Sequence, residues 1–343
     1  MKKLLNTLYV SNPNRYLSLD GQNVVISLEG NEIGRLPLHN LEGIVTFGYT
    51  GASPALMGAC AKNNIALSFM SSHGRFLARI SGEVRGNVTL RKEQYRISDD
   101  ESRSSKIAQN FITGKIYNSK WVLERAIRDY PLRVDAEKLK SKSKFLSNSI
   151  KESRVAENLE KLRGIEGEAA SVYFSAFDEL ILQQKEKFFF NGRNRRPPLD
   201  NVNTMMSFTY SLLAGMCASA LEAVGFDPYV GFLHRDRPGR ISLALDLMEE
   251  FRAVMADRFV LTLINKRIIN DKGFLKKESG AVIMQDEARK LFLTAWQEKK
   301  QEIIKHPFLD EKVEWGMVPY VQAMLLARYI RGDIDEYPPF MWK

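Results

Sequence analysis

The chain has 343 residues, enough for two domains with cores of their own, and a net charge of +9 points to a polyanionic partner. Its only two cysteines, Cys60 and Cys217, both lie in apolar runs. That excludes a disulfide framework or a thiolate metal site and fits a reducing cytoplasm. No apolar stretch reads as a membrane span, and the start MKKLLNTLYVSNPNRY turns polar too soon for a signal peptide.

Residues 1–92 read as a small β-rich domain. Leu4–Val10 alternates. Tyr16–Leu19, then Asp20-Gly21, then Val24–Leu28 is a hairpin pattern, with a second turn at Glu29–Asn31. Ile33–Leu38 and Gly43–Phe47 follow as strands, and Pro54–Asn63 as a short helix with proline at its start. Ile65–Phe69 and Phe76–Ile80 are further strands, split by Ser71-Ser72-His73-Gly74. The polar stretch ending SDDESRSS predicts a linker at 93–105.

From Lys106 the pattern turns helical, and residues 106–343 are expected to form a nearly all-α domain. Ile107, Phe111, Ile112 and Ile116 recur at helical spacing. Val134–Arg163 is helical and rich in Lys and Glu. Glu166–Leu182 is a tighter helix, Phe188–Asp200 a loop, and Val202–Val224 a long apolar core helix. Leu243–Ile269, Gln285–Ile304 and Val318–Arg331 complete the set. The fold class is α+β, with the β-rich part first.

Three stretches carry chemistry. In GIEGEAASVYF, Glu166 lies between two glycines at an expected helix entrance. Ala169 and Ala170 leave room for a neighbouring helix. A carboxylate on a close-packed face is costly unless a cation accompanies it; otherwise Glu166 is a helix-start acid stabilised by the macrodipole. In GFLHRDRPGRISLALDLMEEFR, Asp246 and Glu249 share a helix face, and the loop bearing His234 can fold back over it. Carboxylates with one imidazole suit Mg²⁺ or Mn²⁺, while a lone histidine ending an apolar run is more often a satisfied core residue, a reading that the nearby acids weaken. Asp246 fits a ligand or a support behind one, and Glu250 fits solvent or an ion pair with Arg252 or Arg235. The third feature is basic: Arg195 and Arg196 in one loop, Arg235, Arg237 and Arg240 in the other. These are placed to hold a phosphate backbone, or else they are surface charge.

Together with RPPLDNVN (Arg196–Asn203) and DPYVGFLH (Asp227–His234), these stretches resemble the CRISPR-associated integrase, the metal-dependent nuclease of the spacer-acquisition complex. The tail VPYVQAMLLARYIRGDIDEYPPFMWK and Gly86–Arg96 resemble the type I-C form. The resemblance spans nearly the whole chain. It implies an N-terminal β domain that dimerises and an α-helical catalytic domain. It implies Mg²⁺ or Mn²⁺ held by Glu166, His234 and Glu249, with Asp246 behind them. The reaction it implies inserts short foreign DNA into a CRISPR array by 3′-hydroxyl attack on a phosphodiester. Arg195, Arg196, Arg235, Arg237 and Arg240 would bind the double-stranded DNA. The implied partners are a second copy of the chain, a small CRISPR-associated bridging protein and an iron–sulfur CRISPR-associated nuclease. No membrane is implied. A structure-specific nuclease for branched DNA, or a DNA-binding scaffold with inert acids, stands as the alternative. The apolar segment Asp333–Lys343 would dock on a partner or cover its own core.

Overall fold

The computed structural model describes residues 6–10, 12–48, 50–63, 65–71, 76–80 and 88–343. Leu4 and Leu5 of the first expected strand, Ser72–Gly74 of the expected turn, and Gly86 and Asn87 lie outside the described residues. The chain divides into two compact units.

The first unit takes residues 1–85 and Met284–Glu302. Its strands are β1 (Thr7–Val10), β2 (Arg15–Asp20), β3 (Asn23–Leu28), β4 (Asn31–Pro37), β5 (Gly43–Phe47), β6 (Gly51–Ala52), β7 (Ala66–Met70) and β8 (Phe76–Ile80), with helix α1 at Pro54–Lys62. They form two four-stranded sheets, ordered β1-β5-β7-β8 and β4-β3-β2-β6. The second expected turn has a clear cause. Glu29 and Gly30 both sit at positive φ, 52° and 86°, as a two-residue turn between right-twisted strands requires. Ser53 caps α1 by accepting from the Leu56 N–H at 3.2 Å, ahead of Pro54. Val10, Leu17, Val24, Ile26, Ile44, Leu56, Cys60 and Leu67 make one apolar core.

A late helix, Asp286–Gln301, belongs to this unit rather than to the expected all-α domain of 106–343. Lys300 near its end is buried, donates to Thr7 Oγ1 at 2.8 Å and lies 3.5 Å from Glu42 Oε2. Such a tie joins residues remote in sequence, so helical periodicity alone gives no sign of it.

The second unit takes Gly86–Ile283 and Ile303–Lys343. Its helices are α2 (Val88–Asp99), α3 (Glu101–Asp129), α4 (Ala136–Arg154), α5 (Leu159–Ser175), α6 (Asn201–Val224), α7 (Ser242–Glu249) and α8 (Arg258–Asn265). The first-unit helix above is α9, and Val318–Ile330 is α10. Residues 93–105, expected as a linker, are helical instead on either side of Asp100. Leu90, Gln94 and Ile97 are buried on one face of α2, and Asp100 caps α3 by accepting from the Arg103 N–H at 3.1 Å. The buried polar Gln94 hides the apolar period, and the acids that read as linker are a cap.

α6 is long and apolar enough by composition to pass for a membrane span, contrary to expectation, but 61% of that stretch is buried inside the protein. It packs against α7 and α10. The expected helix Leu243–Ile269 is broken by a π-helical segment at Arg252–Asp257 and ends at Asn265. Extra residues in a helical turn re-aim side chains, and such segments recur at functional sites.

Candidate active site

α5 begins at Leu159, not at Glu166. Asn158 caps it by accepting from the Lys161 N–H at 2.9 Å. Gly164 and Gly167 are helix interior, with nothing within 4 Å of where a Cβ would stand. Glu166 is therefore mid-helix, and the macrodipole explanation for it lapses. It shares a face with Glu160 and Arg163, three residues apart in turn, while Glu168 points elsewhere and is exposed.

The carboxylates of Glu166 and Glu249 meet on one group that sequence reasoning missed. Lys115, a buried lysine on α3, pairs its ammonium with Glu166 Oε1 and lies 2.8 Å from Glu249 Oε2. The other oxygen of Glu249 is 3.0 Å from a guanidinium nitrogen of Arg252. Burial alone would push the Glu249 carboxyl up. The charges of Arg252, first, and Lys115 overcome that and hold it at about 2.

Asp246 does not face the cleft. It is fully buried and accepts the backbone N–H groups of Phe232, Leu233 and His234 at 2.7, 2.9 and 3.0 Å. The fourth partner is His234 Nδ1 at 2.5 Å. A neutral imidazole so placed carries its proton on Nδ1 and leaves the Nε2 lone pair free. Asp246 thus shapes the loop and sets the histidine; its oxygens have no capacity left for a ligand. Arg163 adds to the loop by donating to the Leu233 carbonyl at 2.5 and 3.2 Å. Gln94 holds the loop start, donating to the carbonyls of Asp227 and Val230 at 2.7 and 2.8 Å.

The loop passes so close to α7 that residue 231 must be glycine. A Cβ there would come 2.8 Å from Ser242 Cβ and 2.9 Å from Asp246 Oδ2. Gly231→Ala is expected to cost about 1–3 kcal/mol in a denaturant melt, through overpacking against Asp246. Gly164→Ala, unobstructed, is expected to be neutral or stabilising by up to about 1 kcal/mol. Equal effects of the two substitutions would refute the close-approach argument.

Glu166, His234 and Glu249 line one cleft of about 560 Å³. Arg195, Arg235, Arg237 and Arg240 line it as well, joined by Arg163 and Arg252, which the sequence reading had not assigned to it. Arg196 is exposed but does not line it. Arg193 turns onto α6, donating to Asn203 Oδ1 at 2.7 Å and lying over the Tyr210 ring. Six guanidinium groups around three carboxylates make a site that attracts anions at its walls and cations at its floor.

Glu250 contradicts the expectation of solvent or an arginine partner. It is fully buried and accepts from Tyr337 Oη and the Phe340 N–H, each at 2.6 Å, and from Gln322 Nε2 at 2.9 Å. Burial pushes its carboxyl up to about 8. The tail therefore covers its own core, with Tyr337 and Phe340 fully buried.

Among the described residues, no three His, Cys, Asp or Glu side chains form a ready-made metal cage. Two carboxylates converge, and the Lys115 ammonium between them stands in for a cation. With an imidazole on the same cleft, the donor set fits a hard divalent ion with some tolerance for nitrogen.

The sequence pattern of the family described as CRISPR associated protein Cas1 matches residues 8–298. A CRISPR-associated endonuclease Cas1 from Chlorobaculum tepidum is 52% identical over the full length of both chains. A Geobacter sulfurreducens protein named as a Cas4 exonuclease/Cas1 endonuclease fusion is 33% identical, covering 97% of this chain and 60% of the fusion. The solved structure of a casposase bound to integration product superposes with a TM-score of 0.84 at 23% identity, over 98% of this chain and 94% of that one. This chain belongs to the Cas1 family of CRISPR-associated endonucleases.

Proposed function

We propose that this chain inserts short DNA fragments into a CRISPR array, joining a fragment's 3′-hydroxyl to a phosphodiester at the repeat. One observation carries the reading. Carboxylates from two separate helices, Glu166 and Glu249, meet on a single cation at the floor of an arginine-walled cleft that His234 also lines.

Glu166, Glu249 and His234 Nε2 would hold Mg²⁺ or Mn²⁺. Such an ion, when bound, neutralises non-bridging phosphate oxygens and lowers the pKa of an attacking hydroxyl. The chain's own residues do the rest. Arg195, Arg235, Arg237 and Arg240 bind the phosphate backbone and fix its register, without reading bases. Asp246 keeps the His234 proton on Nδ1. Arg252 stacks on the Tyr210 ring at 5.2 Å while pairing with Glu249, so the acid cannot swing away. No nucleotide triphosphate is needed, since one phosphodiester is exchanged for another. The partners are a second copy of the chain paired through the β-rich unit, a small CRISPR-associated bridging protein and an iron–sulfur nuclease. The Cas4–Cas1 fusion of a relative supports the last of these. The setting is the cytoplasm.

The test uses a short duplex and a plasmid carrying a CRISPR repeat, with the bridging protein and Mg²⁺ or Mn²⁺ present. Joined product is expected with free 3′-hydroxyl ends and none with dideoxy ends. Cleavage of branched DNA regardless of the 3′ end, with no joining, would mean a structure-specific nuclease instead.

A further inference from the structure

Two cations serve Glu249, and they are not alike. Arg252 holds Oε1 with a planar guanidinium stacked on Tyr210 and is fixed. Lys115 holds Oε2 and Glu166 Oε1 with a compact ammonium on a flexible four-carbon stem. It occupies the place between the carboxylates that a divalent ion would take. Beside its stem is a cavity of about 20 Å³, bordered by Ser119, Glu166, Tyr210 and Asp257. That is room for roughly one water-sized group, between a mostly apolar wall that includes Ile116, Leu146, Ala169 and Phe174 and these few polar groups.

We infer that Lys115 is an internal counter-cation that holds Glu166 and Glu249 in position in the metal-free protein and must vacate their shared space for the divalent ion to enter. The inference rests on the metal site proposed above. Without a cation, two carboxylates at this spacing would repel each other in a partly desolvated setting, and the helices bearing them would be driven apart. Lys115 removes that repulsion while the protein waits for its metal. The same charge opposes the ion that replaces it, so affinity is set by competition. Lys115 is a positioning residue: it acts through Glu166 and Glu249.

Calorimetry of Mn²⁺ alone against the full chain tests this, with wild type, Lys115→Met, Lys115→Arg and Glu249→Gln compared. Lys115→Met is expected to bind Mn²⁺ about 10- to 100-fold more tightly than wild type, since a neighbouring positive charge is gone. It is also expected to melt at a lower temperature without metal and to recover more than wild type when Mn²⁺ is added. Lys115→Arg keeps the positive charge beside both carboxylates and is expected to bind no more tightly than wild type. Mn²⁺ affinity unchanged or weakened in Lys115→Met, with binding still lost in Glu249→Gln, would overturn the counter-cation while leaving the metal site standing. Absence of Mn²⁺ binding in wild type and Lys115→Met alike would overturn both. A second measurement needs no variant. Acetylation of Lys115 in the wild-type protein, followed by mass spectrometry, is expected to rise severalfold on adding Mg²⁺. Equal protection with and without Mg²⁺ would count against any displacement.

Discussion

Glu249→Gln is expected to abolish strand joining, by on the order of 10³-fold, while leaving DNA affinity within about threefold of wild type. The substitution keeps size and shape and removes only the charge that Lys115 and Arg252 share. Losing a group that merely orients a metal ligand typically costs 10- to 100-fold, so losing a ligand charge costs more. DNA affinity comes from elsewhere, from guanidinium groups meeting phosphates along the cleft walls. Replacing one of those, Arg240→Ala for example, is expected to give the opposite pattern. Binding weakens and the salt dependence of log K falls by about one unit, while joining recovers at saturating DNA. The checks are a strand-joining gel, fluorescence anisotropy across a salt series, and a melt showing that each variant is folded. A folded Glu249→Gln protein that joins DNA within tenfold of wild type would leave the acid cluster without a catalytic role.

The sequence showed what local chemistry encodes. Turns at Asp20-Gly21 and Glu29–Asn31, the Pro54 helix start and the apolar spacing of α3 and α6 each follow from a few neighbouring residues. So did the grouping of Glu166, His234 and Glu249 on one cleft, through likeness to a known pattern. Long-range partners were not legible. Lys115 sits among many lysines in a helical stretch, and nothing in its surroundings marks it as the one that binds two acids. Asp246 could be placed near His234 but not turned inward, because its partners are backbone N–H groups that any sequence offers. Glycines misled in one direction: Gly164 and Gly167 read as the start of a helix that had begun at Leu159. Acids misled in the other, since the cap Asp100 read as part of a linker. The two caps are local contacts three residues long, but the contacts of Lys115 join residues that no window of the sequence holds together.

Glu250 shows how far such a contact reaches. Glu250→Ala is expected to destabilise the protein by about 3–5 kcal/mol, because two buried donors lose their acceptor and a third, which keeps Tyr337 Oη and the Pro338 carbonyl, loses one of its partners. Those donors are Tyr337 Oη, the Phe340 N–H and Gln322 Nε2, the last of which belongs to a side chain whose amide oxygen also accepts from His306 Nε2 at 3.1 Å. With the carboxyl pushed up to about 8 by burial, the group is largely protonated at neutral pH. Glutamine, neutral and of the same shape, is accordingly expected to cost no more than about 1.5 kcal/mol. The effect should extend beyond stability. Asn118 on α3 donates to the carbonyls of Glu250 and Phe340, both at 2.7 Å, and accepts from the Trp342 N–H at 2.9 Å. Asn118 lies one turn after Lys115 on the same helix, so the tail, α3 and the end of α7 are tied at one point directly behind the acid cluster. Removing residues 337–343 is therefore expected to loosen that point and lower joining more than it lowers DNA binding. Denaturant melts of Glu250→Ala, Glu250→Gln and the truncated chain, read beside joining rates, decide the matter. If alanine at 250 costs no more than glutamine, the tail is not held by this carboxyl, and its burial has another cause.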